Sequence, residues 1–293
     1  MAGARANLPF DLPEVDYEQY SNRQLVAVPL VVLALALAVI GIYYALNGVP
    51  IGLGIAFTGG TEMQLTTTTD SPDGIRAAFD EEVASVQPIS SQQNGYIVTF
   101  QSSDTDAITA QAEAAGYEWD SVQSRSASFG STAQRQAFIG VGAAFAGMAV
   151  LVFLLFRTFV PSIAVVASAF SDLVIPMALM NVFGIELSLG TVAALLMLIG
   201  YSVDSDLLLN NHVLRRRGSF YESTYRAMRT GVTMTLTSIA AMTVMTVVSF
   251  LFGIPLLPEV GIVLVFGLTA DLMNTYMLNV TLLRYYKFEA VGR

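Results

Sequence analysis

Long apolar runs separated by short polar breaks dominate the chain. A bilayer core of about 30 Å takes roughly 20 residues of helix to cross. Six stretches meet that length: Leu25 to Leu46, Gln136 to Phe156, Val160 to Val182, Ser188 to Asn210, Val232 to Phe252 and Pro258 to Leu283. The first follows an acid-rich leader, is long and lacks a small-residue cleavage site, so it is expected to persist as an anchor rather than act as a cleavable signal. The pattern divides the chain into a leader (1–24), a first span (25–46), a hydrophilic domain (47–133), five further spans (134–283) and a short tail (284–293).

The hydrophilic stretch carries its own code. Glu62 to Thr67 and Tyr96 to Phe100 read as strands, Pro72 to Ser85 and Asp104 to Gly116 as helices, and Tyr117 to Ser126 as a further strand. Pro72 suits a first helical turn with Ser71 as its cap. The order βαβαβ predicts a small α+β domain of the ferredoxin-like sort.

Composition narrows the class. The 293 residues are 54% hydrophobic and 13% charged, against about 25% charged in ordinary soluble domains. A formal net charge of -9 argues against a nucleic-acid binder. With no Cys and one His, disulfides, thiolate metal sites and Ser-His-Asp chemistry have almost no parts, so no catalytic role, metal or cofactor is expected.

Charge position sets an orientation. Of the 14 Lys and Arg, only Arg76, Arg125 and Arg135 fall outside if the N-terminus is cytoplasmic, and Arg215, Arg216 and Arg217 cluster in one short inside loop. Both termini are therefore expected in the cytoplasm of a multi-pass cell-membrane protein, with the α+β domain extracytoplasmic. That domain carries many carboxylates and few bases, the pattern of a surface kept hydrated in very high salt, and the coat is assigned no specific ligand.

Two motifs carry a resemblance. Gly52-Leu53-Gly54-Ile55-Ala56-Phe57-Thr58-Gly59-Gly60-Thr61-Glu62 follows the first span, and Leu198-Ile199-Gly200-Tyr201-Ser202-Val203-Asp204-Ser205-Asp206 lies in the fourth, after Ser171-Asp172-Leu173-Val174-Ile175-Pro176 in the third. The first resembles the G-x-(D/E)-F-x-G-G-T signature of the SecD/SecF family through Gly54, Phe57, Gly59, Gly60 and Thr61. The second resembles the I-G-Y-S motif of its SecF branch through Gly200, Tyr201 and Ser202. Six spans with one outer domain after the first is also that family's layout. Two departures stand out: Ala56 replaces the usual acid, and His212 stands where bacterial members carry an Arg.

Carboxylates inside a bilayer cost at least about 2.5 to 3.5 kcal/mol each when ionised, which makes each a functional candidate. Asp172 is in the third span, Asp204 and Asp206 in the fourth and Asp271 in the sixth, with His212 near the membrane boundary. If these spans pack together, the acids form a polar seam suited to a proton or ion relay; the bland reading is hydrogen bonding that fixes helix register. The resemblance implies a protein-export accessory subunit that works with a SecD-type membrane partner beside the Sec channel on exported unfolded polypeptides, in contact with membrane lipid and coupled to a proton or sodium gradient. A non-transporting scaffold of the translocon is the alternative. A small-molecule or lipid efflux unit of the same superfamily fits less well, since those usually carry twelve spans in one chain.

Overall fold

The computed structural model describes residues 17, 19–67, 71–89, 94–215, 219–254 and 256–290. Arg216 and Arg217 of the basic cluster, most of the leader and the last residues lie outside these.

Among the described residues, six helices are long and apolar enough to cross a membrane. They are α1 (Asn22–Asn47), α5 (Ala127–Phe156), α6 (Phe159–Phe183), α7 (Leu189–Arg215), α8 (Phe220–Leu251) and a last span that begins as α9 (Leu257–Met273). That last span continues through a π-helical segment (Asn274–Asn279), α10 (Val280–Tyr285) and a second π-helical turn (Tyr286–Ala290). Local chemistry sets the ends. Ser21 and Gln24 form a capping box on α1, and Gly48 closes it in a left-handed conformation. Ser126 and Ser219 cap α5 and α8 through the backbone of Phe129 and Glu222. Both helices therefore start well before their apolar runs, at residues 127 and 220 rather than 136 and 232.

The helices are not equivalent. α6, α7 and α9 pack on one another and form the interior, while α1, α5 and α8 keep most of their surface outward. Outward residues such as Leu35, Leu154 and Val244 are large and apolar, as expected of a face solvated by lipid. Inside, Leu195, Leu198, Val263, Leu264 and Leu268 belong to one cluster that also takes in Ile51 and Phe57 from the segment after α1.

Between α1 and α5 the chain builds a short helix α2 (Ile55–Thr58) and then β1 (Gly60–Thr66), α3 (Pro72–Ala78), β2 (Val83–Ile89), β3 (Gly95–Phe100), α4 (Thr105–Ala114) and β4 (Glu118–Arg125). The sheet is antiparallel in order β2-β3-β1-β4, with Met63 opposite Val98 on one side and Val122 on the other. Ile75 of α3 and Ile108 of α4 join Met63, Leu65, Val98 and Phe100 in its core. The ferredoxin-like expectation holds, with one correction: the order is βαββαβ. The helix expected over Pro72 to Ser85 stops at Ala78, where Phe79 turns extended and the Asp80 amide donates to Gln111 Oε1 at 2.9 Å. Val83 to Ile89 then forms a fourth strand, and its place at the sheet edge tolerates Pro88.

Candidate functional site

Three buried carboxylates from three helices meet in the bundle interior. Asp172 comes from α6, Asp206 from α7 and Asp271 from α9. The Ser202 hydroxyl donates to Asp172 Oδ2 at 2.7 Å, and the Asn274 amide donates to Oδ1 at 2.6 Å. Asp206 Oδ1 accepts from Thr275 at 2.9 Å and from Asn279 at 2.7 Å. Asp271 Oδ1 accepts from Ser205 at 2.7 Å and from Thr275 at 3.2 Å.

Helical spacing produces this convergence. Ser202, Ser205 and Asp206 sit at i, i+3 and i+4 on α7 and so share a face. Asp271, Thr275 and Asn279 recur every fourth residue of the last span, and the π-helical turns keep Asn274, Thr275 and Asn279 all buried. The carboxylates also act on one another electrostatically, Asp271 on both Asp172 and Asp206. Among the described residues, no Lys, Arg or His side chain hydrogen-bonds to any of them.

Further buried polar atoms line the seam. Ser168 lies beside Asp206, whose Oδ2 is buried. Both amide atoms of Asn210, Oδ1 of Asn274 and Asn279, and Ser171 Oγ are buried without a partner. Such atoms are rare in an interior unless they serve small polar occupants.

The remaining expected positions fall elsewhere. Asp204 is exposed, as is Asn211, on the face of α7 turned away from the seam. His212 is partly exposed, its Nδ1 2.8 Å from the Leu208 carbonyl of its own helix. Gly200 and Tyr201 are also exposed, so of the Gly-Tyr-Ser motif Ser202 alone reaches the acids. The pattern reading passed over Thr275 and Asn279; the four-residue repeat of polar side chains from Asp271 is the signal that marks them.

The glycine-rich motif forms a junction between spans and domain. Leu53 bridges to Leu187 in the α6–α7 loop, with the Gly54 amide donating to the Leu187 carbonyl at 2.9 Å and the Leu187 amide to the Gly52 carbonyl at 2.7 Å. Phe57 is buried, and the Thr61 hydroxyl donates to the Ser102 carbonyl at 2.8 Å. Gly59 and Gly60 hold φ of +81° and +133°, and a Cβ on Gly59 would stand 2.7 Å from the Ala127 amide nitrogen. Glu62 and Glu186 face Glu259 across this junction. Burial pushes the carboxyls of Glu62 and Glu186 above the usual glutamate value. No group of three or more His, Cys, Asp or Glu among the described residues is placed to hold a metal ion.

Comparison with known proteins decides the family. The model of protein export membrane protein SecD/SecF, C-terminal, matches residues 105–289. The protein-export membrane protein SecF of Haloferax volcanii is 65% identical over 287 residues, covering 97% of this chain and 99% of that one. The chain belongs to the SecF family. SecF of Haloquadratum walsbyi is 63% identical with the same coverage, and SecF of Pyrococcus furiosus is 37% identical over 96% of this chain and 100% of its own. The fold is that of SecDF, a translocon-associated membrane protein from Thermus thermophilus, at TM-score 0.74 and 19% identity. The match covers 95% of this chain and 40% of the SecDF chain, so the present protein has the length of its SecF relatives and under half that of SecDF.

Proposed function

We propose that this protein-export subunit works with a SecD-type membrane partner beside the Sec channel, helping unfolded polypeptides leave on the side of the α+β domain, with both termini cytoplasmic. Arginine placement supports the orientation, and the shared fold with SecDF, of which this chain matches less than half, supports a second six-span unit.

Coupling to a proton or monovalent-cation gradient is carried by one observation: three buried carboxylates on α6, α7 and the last span, held by Ser, Thr and Asn donors and, among the described residues, by no basic side chain. Three ionised acids in so small a volume repel strongly and lose hydration, so their charge state is tied to how the helices pack. Proton or ion binding at Asp172 and Asp206 shifts the packing of α6 against α7. The junction at Leu53 and Leu187 passes that shift to the α+β domain, because the α6–α7 loop is bonded directly to the strand-side segment.

Export of a secreted reporter in cells carrying Asp172→Asn tests this. Impaired export at normal protein level and partner association is expected; normal export removes Asp172 from the mechanism. The scaffold alternative rests on Ala56 and His212, which replace charged family positions. It requires that collapsing the ion gradient affect export equally with and without this chain.

A further inference from the structure

A crevice of about 750 Å³ lies apart from the seam, between the first turns of α1, the early turns of α8 and the last span. Its walls are apolar: Leu25 and Val28 from α1, Met228 and Val232 from α8, Met273 and Met277 from the last span. Thr269 also lines it, but its hydroxyl is donated to the Val265 carbonyl of its own helix at 2.8 Å. The end farthest from the α+β domain is roofed by Tyr17 and Tyr20. Arg284 pins that roof by donating to the carbonyls of Tyr17 and Tyr20 at 2.9 and 3.1 Å, and the Tyr17 hydroxyl donates to the Tyr276 carbonyl at 2.9 Å. Burial pushes the Tyr17 phenol above its usual value, consistent with a dry roof.

The floor and back are the last span, while α1 leans on α6 and α8 leans on α7 and α9. Val28 on the α1 wall is 46% exposed, and α1 continues outward through the exposed Val31 and Leu35. The open side therefore faces the hydrocarbon of the bilayer.

We propose that this crevice is a binding site for one hydrocarbon chain of a membrane lipid from the leaflet opposite the α+β domain. Entry from the aqueous side is blocked by the tyrosine roof, so the occupant comes laterally from the membrane. Three methionines line the walls, and their flexible thioethers adapt to a flexible aliphatic chain. Gln24 and Tyr20 line the roofed end, where the polar part of a lipid lies. Left empty, the walls forfeit dispersion contacts.

The site has a consequence for the seam. The π-helical segment presents Tyr276 and Met277 to the crevice and Thr275 and Asn279 to Asp206. A chain in the crevice therefore supports the turn that carries the donors to Asp206. This consequence rests on the ion-relay reading; occupancy itself does not.

The test reconstitutes the full chain in phosphatidylcholine vesicles containing a trace of phosphatidylcholine with a diazirine near the end of one acyl chain. After irradiation, adducts are mapped by peptide mass spectrometry. Adducts on Met228, Met273 and Met277 are expected to exceed several-fold those on Met234, a 61% exposed residue of the same α8. Val28→Trp and Thr269→Phe, two separate ways of filling the space, should bring the crevice adducts down to the Met234 level while leaving Met234 unchanged. Equal labelling of crevice and Met234 in the unsubstituted chain overturns the proposal. So does undiminished crevice labelling in a folded filled variant. Loss of crevice adducts when a co-purified membrane partner is present assigns the space to that partner instead. None of these readouts involves export.

Discussion

Ser202 and Asp172, 30 residues apart in the chain, are joined by a 2.7 Å hydrogen bond between α7 and α6. The serine of the Gly-Tyr-Ser motif thus holds one oxygen of the third-span acid, while Asn274 holds the other. Ser202→Ala is expected to cost about 1 kcal/mol, the usual scale of an interhelical hydrogen bond in a membrane. Thermal unfolding of the detergent-purified chain measures it. Asp172→Asn, which keeps the volume but sets its amide against donor groups, should impair export more than Ser202→Ala does in the same reporter strain.

His212 bonds to its own helix and not to the carboxylates. His212→Ala should therefore reduce reporter export less than Asp172→Asn at matched protein levels. An equal or larger defect would place a functional proton on His212.

Asp204 and Asp206 separate by the same logic. Asp206→Ala removes the oxygen to which Asn279 and Thr275 both donate, leaving two buried donors unmatched at a cost of about 1 to 3 kcal/mol. Asp204→Asn on the exposed face should stay within about 0.5 kcal/mol for the isolated chain. Urea or thermal denaturation of the two variants side by side checks the ordering.

How much of this was readable in advance varies element by element. Apolar length alone marks the six spans, because a helix of that length satisfies its own backbone hydrogen bonds across the bilayer. The inner three are distinguished by polar residues recurring along one face, such as Ser168, Ser171 and Asp172 on α6, and mean apolarity does not reveal this. Asp204 and Asp206 look alike in the chain, yet two residues turn a helix by about 200°, and one ends exposed while the other is buried. The strand Val83–Ile89 escaped because a half-buried edge strand with Pro88 shows no clean alternation, and Ala77, Ala78 and Ala84 read on as helix. The crevice has no local signature at all: its walls come from segments more than 200 residues apart that meet only in the folded bundle.

Gly59 has no room for a side chain. Its φ of +81° and the 2.7 Å approach to the Ala127 amide nitrogen predict that Gly59→Ala costs about 1 to 3 kcal/mol. Limited proteolysis should show the α+β domain released earlier than in the unsubstituted chain. An unchanged cleavage rate would show that the junction is softer than its geometry.

Glu62 gives the junction a pH dependence with a defined sign. Burial raises its carboxyl above the ordinary value of 4.5, so the folded state holds the proton more tightly than the unfolded one. Stability is retained below the ordinary value and lost as pH rises through the raised one. Glu62→Gln should melt higher than the unsubstituted chain at neutral pH, and the gap should close on acidification. A gap independent of pH would trace the effect to packing.

The last span contains six consecutive π-helical residues, Asn274–Asn279, and a π turn amounts to extra residues accommodated within an α-helix. A one-residue deletion there is taken up by rewinding the π turn into α-helix, whereas deleting one residue early in α10 would rotate everything beyond it by about 100°, carrying Arg284 off Tyr17 and Tyr20. Within this span a one-residue change in length is therefore expected to be borne better in Asn274–Asn279 than in Val280–Tyr285, where nothing can absorb it.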